Sequence, residues 1–120
     1  PDLTSFSARA GSGVTFSLDV ATTSDVPCLV DLGSGTTTIE ISSGDDLVWT
    51  SAQCAYVPSE RRLLLGEDAT DSQDVTWAGT RSAQGCPGGQ PVAEAGTYRV
   101  VATHVQDGAR LVGEATVVLR

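Results

Sequence analysis

Apolar and polar side chains alternate along this chain, and no window carries the three- and four-residue spacing of a buried helix face. Val14, Phe16, Leu18 and Val20 interleave with Thr15, Ser17 and Asp19, the two-residue period of a strand with one face in the core. Ile39 and Ile41 keep that period, as do Tyr98, Val100 and Ala102, and then Leu111, Gly113, Ala115, Val117 and Leu119. Gly113 within the last run marks a bulge or a close backbone approach. Turn-forming stretches separate the runs: Gly11-Ser12-Gly13, Gly33-Ser34-Gly35, Ser42-Ser43-Gly44-Asp45 and Gln106-Asp107-Gly108, the last holding an Asp-Gly hairpin signal. The reading is all-β, with strands over 3–9, 14–20, 28–32, 39–41, 47–49, 71–77, 98–105 and 111–119. Leu63-Leu64-Leu65 is a further brief apolar run, which makes eight or nine strands in a single domain spanning 1–120.

One stretch narrows the class. Glu94-Ala95-Gly96-Thr97-Tyr98 places an acidic residue, a glycine and a tyrosine in the spacing E-x-G-x-Y, directly ahead of an alternating strand. It resembles the tyrosine corner of an immunoglobulin-like sandwich, in which the phenol hydroxyl ties the strand entrance to upstream backbone. The resemblance implies an immunoglobulin-like antiparallel β-sandwich, a class that mostly binds or scaffolds. The fold leaves the partner open.

Charge excludes some partners. The net charge is −8, and all 7 basic residues are arginine. Such a surface repels phosphate backbones, so no nucleic-acid partner is expected. It also lacks the basic amphipathic face that would hold this domain directly on an anionic membrane. No stretch approaches the ~20 apolar residues of a membrane span. The chain opens at Pro1 rather than methionine, as expected of a processed or trimmed product whose anchor lies in a segment outside it.

The 3 cysteines, Cys28, Cys54 and Cys86, show no C-x-x-C spacing, and the single histidine is far from them in sequence, which argues against zinc. Cys54 and Cys86 both lie in polar or glycine-rich connections and are read as a disulfide joining two loops. Closing such a loop contributes about 3–4 kcal/mol in the chain-entropy model. Cys28 is then a buried free thiol or the true partner of one of the others, so three pairings stay open. A disulfide implies an extracytoplasmic location.

Little else carries chemistry. Nucleophilic catalysis would have to use His104, which falls on the inward face near the end of its strand, and no G-x-S-x-G elbow exists. No catalytic residue, cofactor or metal is expected, and the chain reads as a non-enzyme. Glu67, Asp68, Asp71 and Asp74 lack the D-x-D-x-D-G order of a calcium loop and read as a solvated edge that discourages strand pairing. Trp49 follows Leu47 at a two-residue step and Trp77 follows Val75 likewise. That pattern puts both indoles in the core rather than on a sugar platform. The surface candidates are Tyr56, in the loop after Cys54, with Arg81 and Ser82 ahead of Cys86: an aromatic and a cation on tethered loops.

Two resemblances follow from these residues. Ser43-Gly44-Asp45-Asp46-Leu47-Val48-Trp49-Thr50-Ser51, Cys54, Leu65-Gly66-Glu67, Thr76-Trp77-Ala78-Gly79-Thr80-Arg81-Ser82, Cys86 and Gly96-Thr97-Tyr98 resemble exported domains of membrane-anchored envelope proteins in high-GC Gram-positive bacteria. That likeness implies an extracytoplasmic domain, joined to the membrane elsewhere, that recognises an envelope protein or a cell-wall polymer. The order Gly44, Val48-Trp49, Leu65-Gly66-Glu67, Trp77, Gly96-Thr97-Tyr98 is also similar to the bacterial intracellular proteinase inhibitor family, itself an immunoglobulin-like sandwich. This second likeness implies a protease-binding loop at Tyr56-Val57-Pro58 or Arg81-Ser82; the expected disulfide departs from an intracellular inhibitor.

Overall fold

The computed structural model describes residues 5–11, 13–22, 28–31, 36–53, 62–65, 70–106 and 109–120, with the backbone alone for 28–31, 62–65, 106 and 109. The alternating runs become strands. They are β1 (Ser5–Ala10), β2 (Thr15–Ala21), β3 (Cys28–Asp31), β4 (Thr37–Ser43), β5 (Asp46–Thr50), β6 (Arg62–Leu65), β7 (Thr70–Thr76), β8 (Gly96–Gln106) and β9 (Ala109–Leu119). Among the described residues there is no helix.

Two antiparallel sheets, ordered β1-β2-β7 and β5-β4-β8-β9, make a β-sandwich. The sandwich therefore has seven strands rather than eight or nine. The short runs at 28–31 and 62–65 pair with each other instead, as a separate two-stranded ribbon. Each interrupts a connection between sandwich strands, and a four-residue apolar run carries no signal of which sheet it joins.

Inward side chains fill the space between the sheets, as the period of two requires. Phe6, Phe16, Leu18, Val20 and Val75 come from one sheet; Ile39, Ile41, Val48, Tyr98, Val100, Ala102 and Val117 come from the other. Trp77 closes the cluster and meets Tyr98 edge to face, with ring centroids 5.1 Å apart. The Tyr98 hydroxyl donates to the Glu94 carbonyl, four residues upstream, and so fixes the chain where it enters β8. His104 is buried on the inward face, stacked on Phe6 and hydrogen-bonded through Nδ1 to the Thr37 hydroxyl at 3.0 Å.

Two departures from the alternation have visible causes. The β8–β9 register runs unbroken through Gly113, so that glycine marks no bulge. It marks a close approach: a Cβ there would lie 2.7 Å from Ala8 N and 2.8 Å from Ser7 C, backbone of the first strand. The irregularity lies instead between Ile41 and Ser42, where β5 pairs Trp49 with Ile41 and Leu47 with Ser42, leaving Val48 unpaired. The extra residue changes the phase of β5. Val48 is buried, Leu47 is 46% exposed and Trp49 is half-buried against the core cluster, so of the expected core step Trp49 holds in part and Leu47 does not.

Candidate functional site

The stretch after β7 is long, glycine-rich and held at both ends. Trp77 donates its indole N–H to the Thr80 carbonyl at 2.9 Å, closing the turn that leaves the sheet. Gly79 takes φ +78 there, beside Leu119. Residues 79–81 and 91–93 then run antiparallel: Thr80 bridges Val92, Arg81 N–H donates to the Pro91 carbonyl at 2.9 Å, and Ala93 N–H to the Gly79 carbonyl at 2.8 Å. The tip between them turns through left-handed Gly85, Cys86 and Gly89, and residues 84–89 are exposed.

This small hairpin docks on the free edge of β5. Ser82 N–H donates to the Val48 carbonyl at 3.0 Å; its hydroxyl accepts from Thr50 N–H at 3.1 Å and donates to Gln53 Oε1 at 2.7 Å. Arg81 grips Asp46 through two hydrogen bonds of 3.0 and 2.7 Å and reaches the Leu47 carbonyl at 3.4 Å. The hydrogen bond from Arg81 holds the Asp46 carboxyl below its ordinary value, and the same contact raises Arg81.

Beside the hairpin lies an open groove of 590 Å³. Trp49 and Trp77 line it with Thr80, Arg81, Gln90 and residues 86–89. A second cleft of 440 Å³ lies over Tyr98 and Arg99, where Arg99 pairs with Glu114.

Of the residues singled out in the sequence, Arg81, Ser82 and Cys86 come together on this hairpin. Cys86 is disulfide-bonded. Cys54, Tyr56 and the side chain of Cys28 lie outside the described residues, as do Glu67 and Asp68. Asp71 and Asp74 sit on β7, where Asp74 accepts from the Ser17 hydroxyl at 2.6 Å. Among the described residues no group of three or more His, Cys, Asp or Glu side chains could hold a metal ion. Sequence reasoning missed Asp46, Thr50 and Gln53, which anchor the hairpin, because their partners lie 29 to 35 residues away along the chain. Trp49, assigned to the core in the sequence, is half-buried and packs against the core cluster while also lining the groove.

In comparisons with protein families, curated proteins and solved structures, no match is found.

Proposed function

We propose that the chain is a non-enzymatic, extracytoplasmic binding or scaffold domain of a bacterial cell-envelope protein, joined to the membrane through a segment outside this chain. It recognises an envelope protein or a cell-wall polymer through loops joined by a Cys54–Cys86 disulfide. The observation that carries the reading is the hairpin at 79–93. Its stem is clamped to β5 by Arg81 and Ser82, and its tip is exposed around a disulfide-bonded Cys86. A loop fixed at its base and open at its tip matches the usual placement of binding residues on a rigid scaffold. The strand orders support an immunoglobulin-like sandwich whose fourth strand pairs with the third rather than with the fifth, and the Tyr98–Glu94 tie supports it further.

The inhibitor reading is less well supported at Arg81-Ser82. A protease-bound loop offers its backbone to the enzyme as an extended strand. Here both backbone N–H groups are already spent inside the domain.

The test is co-sedimentation with isolated high-GC Gram-positive envelopes, run beside a panel of peptidases. Retention of the wild-type protein, lost in a Cys54→Ser/Cys86→Ser variant that still shows the β-sheet circular dichroism of the parent, is the expected result. Equal retention of both proteins would sink the loop assignment. Inhibition of a peptidase without retention would replace it with the inhibitor.

A further inference from the structure

We infer that the groove between the hairpin and Trp49 is a binding site for a neutral glycan, one sugar ring of which stacks on the Trp49 indole. The inference rests on the binding role proposed above and names the chemistry of its ligand. Trp77 is buried, with its N–H given to Thr80, whereas Trp49 is only half-buried and lines the groove. An indole face is a flat apolar surface that suits the C–H face of a pyranose. Around it stand groups that answer hydroxyls: the Thr80 hydroxyl and the Gln90 amide, each able to donate and accept. Beyond them runs the backbone of Gly88-Gly89, with no side chain to keep a ligand away. The volume of 590 Å³ lies inside the ~300–1,000 Å³ range of small-molecule clefts.

Charge selects the neutral class. Among the described residues that line the groove, the only ionisable side chain besides the bonded Cys86 is Arg81, and both Asp46 oxygens are already on its guanidinium. None of the described lining residues is a carboxylate that would hold a cationic peptide. An anionic wall polymer meets no free cation among these described residues, and the net charge of −8 repels it at a distance. A proline-rich peptide would seek aromatic N–H donors for its carbonyls; that of Trp77 is spent internally, which leaves only the Trp49 indole among the described lining residues to serve it.

The probes are chitotetraose and maltotetraose, titrated into the whole chain by calorimetry, with a deca-proline peptide as the competing class. One of the two sugars is expected to bind and to shift the tryptophan emission to shorter wavelength. Trp49→Ala is expected to weaken that affinity by about tenfold or more, Trp49→Phe to keep most of it, and Gln90→Ala to lower it severalfold. The Phe and Gln90 variants keep the test alive if the Ala variant fails to fold. No heat from either sugar up to about 10 mM, with envelope retention intact, would overturn the glycan and leave the binding role standing. Failure of sugar and envelope together would overturn both. Binding of the deca-proline peptide at this groove, or sugar binding unchanged in Trp49→Ala, would also overturn the assignment.

Discussion

Gly113→Ala tests the seam where the first and last strands meet. The substitution adds one methyl group. Its Cβ would lie 2.7 Å from Ala8 N, 2.8 Å from Ser7 C and 2.9 Å from Ser7 Cα. All three atoms are backbone, so no side chain can rotate away. Regaining ordinary contact at ~3.5 Å requires β1 to retreat by roughly 0.8 Å. That strand is held to β2 by a six-residue register and carries Phe6 into the core. Overpacking of this kind costs about 1–3 kcal/mol. For a chain of this length each kcal/mol is roughly 3–5 °C in Tm, so the expected loss is about 3–15 °C, with a lower urea midpoint at unchanged slope. Gly88→Ala is the control. A Cβ there meets nothing within 4 Å, and the change should be neutral or stabilising by up to about 1 kcal/mol. A Gly113→Ala variant melting within about 1 °C of the parent would refute the reasoning, because β1 would then be free to move without loss.

Three further changes bear on the fold and the hairpin. Tyr98→Phe removes the hydroxyl bonded to the Glu94 carbonyl while keeping the ring against Trp77, and should cost about 1–2 kcal/mol by urea denaturation. Ser51→Ala removes the buried hydroxyl oxygen that accepts from the Ile39 N–H at 2.8 Å, and should cost about 1–3 kcal/mol by the same assay. Asp46→Asn should loosen the hairpin, read as faster amide exchange at Ser82 with Val100 unchanged. Arg81 holds the Asp46 carboxyl below its ordinary 3.8, so the pair supports the folded state above that value. As pH falls through the lower folded value the support is lost, and Ser82 protection in the wild type should fall with it.

The parts legible in the sequence are those that repeat a local rule. Phe16, Leu18 and Val20 give β2 because each obeys the same period of two, and all three are buried. Tyr98 could be placed at a strand entrance because its hydrogen-bond partner is only four residues away. Gly113 could be flagged, since a glycine in an alternating run wants a reason, but only the meeting of β1 and β9 decides between bulge and contact. Leu47 was misplaced because β5 gives Val48, the residue at the bulge, to the core and leaves Leu47 outside. At the candidate site Arg81 and Ser82 could be named as loop residues. Their bonds to Asp46, Thr50 and Gln53 depend on where β5 lies in the sheet, which no local pattern encodes.

Ser82 has one more consequence. A β5 edge with open carbonyl and amide groups would be a template on which another chain could lay a strand. Ser82 occupies both of those positions, taking the Val48 carbonyl with its own amide and the Thr50 amide with its hydroxyl. One residue thereby does the work of a missing neighbour, and that side of the sheet is closed to growth. A proline at position 82 would reopen the Val48 carbonyl, and the trouble would show first in storage, as a solution that turns cloudy with time and concentration while each molecule remains folded.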